Sequence, residues 1–477
     1  DPSNLAETNR PSILKRAVIS SMLGMFLILI KITSFFGTFA QLPKSDVMSH
    51  TSTRTGFTSF PRNFRTAVTM EFFERGSYYG VMSVLSVYLV LSKDNGGLGF
   101  TKEGVGIIKS TITPLLYFLP ILSGAIGDRY GYRKVLFFAF FTMSLGYLFA
   151  GFSETWVTVF SSMILVALGA GFFKPLIVGT VSRVTDESTS SLGFGIYYWS
   201  INLGAFLFPL ILVPWLKSIA YHYIFFMAAL GTGWLLLLNF FVFREPRGTG
   251  TSKPVGQVLG EMVSVLKDYR FILMIVIYSG FWIMYFQVYD SVLWYLTEKV
   301  DMSPINKVVN SFLSLFVSNP QWKFEAEHVT AMNAGAIILL QLLVSGLVRN
   351  TKPLPTMIAG IALGSAGMAM LAIAPEGWIF VASMFVFTLG EMTAHPKFIA
   401  YIGMIAPDDK KALYQGYSFL YGVIGSGVGG ILGAWLYVLY VEKLNQPSML
   451  WLTFSMIGVL TIIGLLLYNH FLAPRKK

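Results

Sequence analysis

Residues 124–134 read Gly-Ala-Ile-Gly-Asp-Arg-Tyr-Gly-Tyr-Arg-Lys and separate two long apolar stretches of the chain. An acidic residue at the end of one helix can pair with neighbouring helix dipoles and arginines in one conformation and lose these partners in another. The segment contains one acidic residue and three basic residues at the junction of these two stretches. An ordinary basic turn on the cytoplasmic side of a membrane would carry similar charges.

The composition indicates a helical protein that crosses a membrane many times. Of the 477 residues, 54% are hydrophobic and only 12% are charged, whereas soluble proteins carry about 25% charged residues. The absence of cysteine excludes disulfides and thiolate metal sites. The net charge of +11 fits basic cytoplasmic loops rather than a nucleic-acid partner.

Twelve apolar runs are long enough to cross a bilayer as helices. These predicted spans 1–12 lie at 65–92, 103–127, 133–152, 155–183, 190–216, 219–243, 270–298, 327–348, 354–374, 377–406, 411–441 and 446–471. Residues 17–41 form an extra N-terminal hydrophobic helix, for which spanning the membrane and lying in its interface both remain open. The predicted fold class is an all-α polytopic membrane protein with 12 core transmembrane helices in two six-helix bundles.

Loop composition predicts the domain organisation and the orientation. Residues 1–60 are an N-terminal extension, 61–243 the first six-helix bundle, 244–269 a cytoplasmic linker rich in Pro, Gly and Thr, and 270–477 the second bundle. Basic residues recur in the loops that precede span 1 and follow spans 2, 6, 8, 10 and 12. We therefore expect these loops, and both ends of the twelve-span core, to lie in the cytoplasm. The 299–326 loop contains an apolar stretch that predicts a short helix on the bundle.

Span 1 carries an unusual charged cluster, Met-Glu-Phe-Phe-Glu-Arg-Gly-Ser-Tyr-Tyr-Gly at residues 70–80. Each charge costs a few kcal/mol at the centre of a bilayer before pairing or water access is counted. Glu71, Glu74, Arg75 and Tyr78 follow i, i+3, i+4, i+7 spacing and so share one helix face. The cluster predicts an internal polar cavity that handles protons or ions, although Glu74 and Arg75 could instead form a static ion pair.

The segment 124–134 resembles the loop signature of the major facilitator superfamily, G-x-x-x-D-R-x-G-x-R followed by a basic residue. The resemblance implies the major facilitator fold and a gating role for this loop. The matching residues are Gly124, Asp128, Arg129, Gly131 and Arg133.

Five further motifs resemble those of one branch of that superfamily, the proton-dependent oligopeptide transporters, of which the chain looks like a divergent member. They occur in the family's order and extend over nearly the whole chain from residue 64. They are E-x-x-E-R-x-x-Y-Y at 71–79, F-K-P at 173–175, Y-Y-x-x-I-N-x-G at 197–204, F-W-x-x-x-x-Q at 281–287, and G-E-x-x-x-x-P at 390–396.

This resemblance implies a role for each matching residue. The proton-coupling residues are Glu71, Glu74, Lys174 and Asp290. Arg75 and Lys174 are expected to bind a peptide carboxylate, and Glu391 the peptide amino terminus. The remaining substrate-binding residues are Tyr78, Tyr79, Asn202, Trp282, Gln287 and Asn333. Asp290 could alternatively be solvated near the outer end of span 7, and His395 is interpreted as a packed polar group rather than a proton relay.

The predicted function is proton-coupled symport of di- or tripeptides, or of peptide-like solutes, by alternating access. The alternatives are a carrier or exporter of another amphiphilic or anionic solute, such as a lipid-like molecule or drug, and a non-transporting sensor or partner subunit. An enzyme is not expected, because the five histidines are scattered and form no catalytic or metal-ligating motif. The coupling ion is the proton, with no metal or other cofactor. The partners are a small-molecule substrate and membrane lipids, and the protein is expected to act as a monomer in the plasma or inner membrane.

Two departures from the family pattern concern the pocket. Met82 stands where peptide-carrying members often have a second arginine in span 1. Tyr285-Phe286 precede Gln287 in span 7, where an acidic residue is common. These differences leave open a larger, more aromatic pocket suited to another ligand.

Overall fold

The computed structural model describes residues 60–186, 189–246, 260, 264–407 and 410–472. Thr66–Lys477 form one compact unit. The regular elements of the described residues are helices, so the predicted all-α membrane fold is confirmed. The predicted helix at 17–41 and most of the predicted linker, at 247–259 and 261–263, lie outside the described residues. The domain boundaries stay predictions.

The twelve predicted spans correspond to helices whose ends differ from the predicted ends by only a few residues. In order they are Arg62–Val90, Lys102–Tyr130, Tyr132–Phe152, Trp156–Val184, Ser190–Leu207 with Val213–Ile219, His222–Phe241, Tyr269–Phe286 with Ser291–Glu298, Ala326–Leu347, Pro353–Met370, Gly377–Ile405, Lys411–Ser418 with Leu420–Tyr437, and Pro447–Phe471. They are termed spans 1–12 below. A short helix, Ser303–Leu313, lies between spans 7 and 8.

Eleven helices of the described part are long and apolar enough to cross a membrane. Span 1 is not among the eleven, although it has 29 residues. It is the helix that contains Glu71, Glu74 and Arg75, so its charges rather than its length set it apart. The protein is an integral, multi-pass membrane protein.

Side-chain caps fix where several spans begin. The hydroxyl of Thr101 accepts a hydrogen bond from the backbone N–H of Gly104 at 3.1 Å at the start of span 2. The Asp268 carboxylate accepts from the N–H groups of Arg270 and Phe271 at the start of span 7. Such caps satisfy N–H groups that have no partner within the helix. The beginnings of these spans therefore follow from local sequence.

Span 7 is broken in its last third, contrary to the predicted continuous helix over 270–298. A 3₁₀ turn, Gln287–Tyr289, follows Phe286, and Asp290 has φ −132° and ψ −93°. Because the helical period is lost there, Gln287 and Asp290 contact different spans. Gln287 contacts span 11, where its Nε2 donates to Gly429 O at 3.0 Å. Asp290 contacts spans 1 and 2 instead.

Spans 2 and 11 cross closely and join the first six spans to the last six. A Cβ atom on Gly106 would lie 2.7 Å from both the carbonyl oxygen of Gly430 and the Cβ of Ala434. Only a residue without a side chain allows this backbone approach. The glycine-rich stretch of span 11 therefore determines how the two halves meet.

Ion pairs also join the two halves, at the helix ends opposite the 124–134 loop. Each of two lysines from the first six spans binds two glutamates from the last six. The pairs are Lys102 Nζ with Glu298 Oε1 at 2.7 Å and Glu442 Oε1 at 2.5 Å, and Lys217 Nζ with Glu325 Oε2 at 2.5 Å and Glu327 Oε1 at 2.6 Å. The molecule is thus held closed at this end, which the loop charges predict to be the outer one.

Candidate functional site

Two adjoining cavities lie between the two halves of the molecule. The larger has a volume of about 560 Å³ and the smaller about 150 Å³. Both are lined by Tyr79 and Lys174. The larger cavity also reaches Ser182, one residue from Arg183 at the end of span 4 nearest the 124–134 loop. Together with the closure at the opposite end, this places the path into the cavities on the predicted cytoplasmic side.

Arg75 is held by a two-point ion pair in the wall of the larger cavity. Its Nε donates to Glu74 Oε2 at 2.5 Å, and its Nη2 donates to Glu74 Oε1 at 2.7 Å. The guanidinium also lies 4.9 Å from the centre of the Tyr78 ring. A bidentate guanidinium–carboxylate pair combined with an aromatic contact fixes the orientation of the cation. Arg75 therefore presents a fixed positive charge beside the cavity.

Lys174 supplies a second cation, on span 4. It lines both cavities, and none of the salt bridges found among the described residues involves it. A lysine in the interior of a membrane protein needs water or an anion as a partner. Lys174 is therefore suited to receive an anionic group from a bound solute.

Glu71 lies behind this wall and lines neither cavity. Its side chain is 0% exposed, and no group among the described residues donates a hydrogen bond to either carboxylate oxygen. Its Oε1 lies 3.8 Å from Arg75 Nε. Burial of an ionised carboxylate without such donors is costly. A change in the charge of Glu71 would therefore act directly on Arg75.

Glu391 on span 10 supplies an acidic side chain to the smaller cavity. Asn333 of span 8 donates from Nδ2 to Glu391 Oε2 at 2.9 Å and to the Thr388 hydroxyl at 3.1 Å. Glu391, Asn333 and Lys174 all line the smaller cavity. A carboxylate and an ammonium on the same small cavity form a site with two opposite charged poles, which complements a zwitterion.

Aromatic rings form much of the wall between the poles. The Trp282 ring stacks on Tyr421 with 4.4 Å between centroids and contacts the His395 ring at 5.3 Å. His395 also lines the smaller cavity. Its Nδ1 is buried without a hydrogen-bond partner among the described residues, and its interpretation as a packed polar group stays a prediction. Asn202 also lines the smaller cavity and donates from Nδ2 to Tyr198 O at 3.0 Å.

Gln287 lies outside both cavities, in contrast to its predicted contact with substrate. Its side chain is fully buried, and its Oε1 accepts from the Ser291 hydroxyl at 2.8 Å. With its Nε2 bound to the backbone of span 11, all of its polar groups are engaged in holding the break in span 7. The reason is the same loss of helical period that separates it from Asp290.

Asp290 forms a buried ion pair with a lysine that the sequence-based prediction does not include. Its Oδ1 lies 3.1 Å from Lys109 Nζ of span 2 and accepts from the Ser86 hydroxyl of span 1 at 2.5 Å. Asp290 is 5% exposed, so the alternative of a solvated outer position is wrong. Both charged residues line the larger cavity, beside Met82. Lys109 is a charged residue within an apolar span, and that signal in the sequence would have identified it.

The 124–134 loop is fixed to the first half of the molecule. Asp128 Oδ1 pairs with Arg183 Nη2 at 2.6 Å. Arg133 donates from Nε to Asn239 O at 3.3 Å and, through Nη2, to Phe240 O. Arg129 lies over the Tyr130 ring, and a Cβ on Gly124 would only touch Pro175 at 3.8 Å. The loop thus connects the ends of spans 2, 3, 4 and 6.

Gly131 forms the sharp turn of this loop, and we expect Gly131→Ala to destabilise the protein. Its φ is +93°, and an added Cβ would lie 3.3 Å from Glu245 Oε2, which helps to cap span 3. Such backbone geometry costs a non-glycine residue about 1–3 kcal/mol. Thermal unfolding of the detergent-solubilised variant should occur several degrees below that of the wild type. Gly195→Ala, in a helix with open space around its Cβ, is the control and should unfold no earlier than the wild type. Equal unfolding temperatures for Gly131→Ala and wild type would contradict the assignment.

A charged central cavity inside a bundle of membrane helices, closed at one end, is the architecture of a membrane transporter. The family profile described as "Major Facilitator Superfamily" matches residues 67–322, more than half of the chain. The chain belongs to this superfamily, whose members are transporters and not enzymes.

Individual similarities point to one branch of the superfamily. The chain is 35% identical over 196 residues to "Uncharacterized transporter YclF" of Bacillus subtilis (strain 168), covering 40% of this chain and 39% of that protein. It is 33% identical over 176 residues to "Di-/tripeptide transporter" of Lactococcus lactis subsp. lactis (strain IL1403), covering 36% and 35% of the two chains. The matches therefore span well under half the length of these relatives.

The fold resembles a solved structure over a much longer stretch. "A POT family transporter in complex with 5-aminolevulinic acid" matches with a TM-score of 0.71 and 21% identity, covering 88% of this chain and 98% of the other. The predicted resemblance to peptide transporters of the superfamily is thus confirmed in the relatives and in the fold. The roles of the individual site residues stay predictions.

Proposed function

We propose that the protein is a proton-coupled symporter of di- and tripeptides or close analogues. The observation that carries this proposal is the smaller cavity, which has Lys174 at one pole and Glu391, bound by Asn333, at the other. A short peptide is a zwitterion with amide groups between its charges, so it complements this cavity. The names of the relatives and the resemblance of the fold support the same substrate class.

Two buried carboxylates supply the proposed coupling to protons. Glu71 faces the Glu74–Arg75 pair from behind the cavity wall, and Asp290 joins the two halves through Lys109. Protonation of Asp290 would remove its charge and so weaken the contact between spans 2 and 7. The closure at the outer end could then open, and the site would become accessible from the other side. Arg75 and Tyr78 line the path beside these groups.

The same proposal includes the orientation of the transporter, its membrane, its oligomeric state and its coupling ion. The two ends of the core lie in the cytoplasm, the protein resides in the plasma or inner membrane, and one chain is sufficient for transport. The proton is the coupling ion, and no cofactor takes part. The distribution of basic loops supports the orientation.

Uptake into proteoliposomes tests the proposal. With an acidic exterior and a pH difference of one unit, labelled dialanine should accumulate up to about tenfold when one proton accompanies each solute. A protonophore should abolish the accumulation. Equal uptake with and without the gradient would contradict proton coupling, and absence of dialanine binding and uptake would contradict the substrate class.

The apolar side of the larger cavity favours a second candidate, a carrier of an amphiphilic solute. Leu116, Ile121, Val178 and Phe194 line this cavity together with its charged residues. Competition distinguishes the two candidates. If a lysophospholipid displaces labelled dialanine only weakly, the result supports peptide transport. If the lysophospholipid is transported and dialanine does not bind, the result supports the second candidate.

A further inference from the structure

Spans 7 and 8 are connected by residues 299–325, which extend away from the bundle and return to it like a hairpin. This connection is termed the outer hairpin. It contains the helix Ser303–Leu313 and a return segment that includes Trp322 and Phe324. It leaves the core at the end of span 7 and re-enters at the start of span 8, at the end of the molecule closed by ion pairs. Nothing in the proposed transport function accounts for it.

The outer hairpin is firmly attached to the core. The Asn310 side chain donates to Trp322 O at 2.8 Å and accepts from Trp322 N at 2.9 Å, and the Asn306 side chain accepts from Phe324 N at 2.8 Å. Asp301 N donates to Pro375 O, and Gly377 N donates to Asp301 O, each at 3.0 Å. These bonds hold the hairpin in one arrangement against the connection between spans 9 and 10.

The tip of the outer hairpin exposes a cluster of large apolar side chains. Two phenylalanines, Phe312 and Phe316, have ring centroids 5.5 Å apart and are 61% and 74% exposed. Val308, Leu315 and Val317 are 53%, 73% and 56% exposed. Burial of one such side chain contributes about 1.5–3 kcal/mol, so this exposed group is a strong candidate for contact with a partner.

The surroundings of the tip identify its partner as lipid. Ile373 and Trp378, which flank the connection that binds the hairpin, are 69% and 50% exposed. Exposed tryptophan at the end of a membrane span is typical of the membrane–water interface. Exposed apolar side chains beside the base of the outer hairpin therefore favour lipid as the partner of the apolar tip. Residues 302–324 contain two exposed lysines, Lys307 and Lys323, and no acidic residue.

We propose that the apolar tip inserts into the headgroup–acyl boundary of the outer leaflet and that Lys307 and Lys323 bind anionic lipid headgroups. Aromatic and aliphatic side chains on one surface with nearby basic residues are the features of interfacial membrane helices. The anchored hairpin would thus attach the junction of spans 7 and 8 to the bilayer surface. The proposal is independent of which solute is transported.

Spin labelling of the full chain tests this insertion directly. Because the sequence has no cysteine, Phe316→Cys gives a single labelling site without other changes. Asp94→Cys, at an exposed position between spans 1 and 2 on the same side of the molecule, is the matched control. In nanodiscs of phosphatidylglycerol and phosphatidylcholine, the label at 316 should be more accessible to oxygen than to a water-soluble nickel chelate. The label at 94 should show the opposite preference.

A second comparison tests the role of the lysines. Adding Lys307→Gln and Lys323→Gln to Phe316→Cys should reduce the depth of the label in the mixed nanodiscs and leave it unchanged in pure phosphatidylcholine. Nickel accessibility at 316 equal to that at 94 would overturn the insertion. If the spectrum of the label at 316 shows dipolar broadening that disappears when unlabelled protein is added, two copies of the chain are in contact there. That result would overturn insertion into lipid. A depth that depends neither on phosphatidylglycerol nor on the lysines would overturn the binding of anionic headgroups.

Discussion

Glu71→Gln is expected to abolish the accumulation of dipeptide against a proton gradient while leaving exchange of dipeptide across the membrane intact. Glutamine has the shape of a protonated glutamic acid but cannot release a proton. The carboxyl group of Glu71 is fully buried, and no group in the described part of the chain donates a hydrogen bond to it, so a neutral amide of nearly the same size leaves no buried charge there. Under a pH difference of one unit, accumulation should fall from up to about tenfold to the equilibrium level.

Paired uptake and counterflow measurements in proteoliposomes check this result. Ser83→Ala is the matched control, because Ser83 is equally buried in span 1 and its hydroxyl bonds only to Gly80 O in its own helix. It should retain both activities. Gradient-driven accumulation by Glu71→Gln would contradict a coupling role for Glu71, and loss of counterflow in that variant would indicate a structural role.

Glu74 differs from Glu71 although both lie on the same helix face. Glu74 makes both hydrogen bonds to the Arg75 side chain, and removal of one partner of a buried ion pair costs about 3–5 kcal/mol. The two carboxylates are therefore expected to have different roles. Glu74 fixes the position of Arg75. A change in the protonation of Glu71 would alter the electrostatic environment of the Glu74–Arg75 ion pair without removing either of its members.

The sequence predicts the fold well because the bilayer restricts the choice of structure. Long apolar runs must become helices to satisfy their backbone groups, and cap residues such as Thr101 and Asp268 set their beginnings. The break in span 7 was not predictable from hydropathy, since Val288 and Tyr289 continue the run and the single charge of Asp290 does not shorten it. Gln287 lies at this break and outside both cavities, and its predicted contact with substrate stays a prediction.

Prediction of the site depended on the motifs, and it is weakest where partners are distant in sequence. Lys174, Asn333 and Glu391 line one cavity as the family resemblance implies. No motif predicts the partner of Asp290. Lys109 is close to Asp290 because spans 2 and 11 cross closely and because span 7 is broken before Asp290. That crossing depends on glycines that pack backbone to backbone. Side-chain pairing across helices is thus a property of packing, which local sequence does not encode.

Glu391→Gln is expected to weaken the binding of a zwitterionic dipeptide much more than that of its N-acetylated form. The carboxylate of Glu391 lines the smaller cavity, and Asn333 holds it by a 2.9 Å hydrogen bond. Glutamine retains the size of the side chain but removes the charge that an ammonium group requires. Truncation of one member of a buried charged pair typically costs 2–5 kcal/mol. For this neutral replacement we expect about 2–3 kcal/mol, or roughly 30- to 150-fold in Kd.

Calorimetric titration of the purified protein with dialanine and N-acetyl-dialanine measures the difference. The acetylated ligand lacks the ammonium, so its affinity should change less than about threefold on Glu391→Gln. Thr393→Ala is the control variant, because Thr393 is in the same span but lines neither cavity and bonds only to Leu389 O. It should bind both ligands as the wild type does. Equal losses for the two ligands would contradict recognition of the amino terminus by Glu391, because a general distortion of the cavity does not distinguish a charged amino group from an acetylated one.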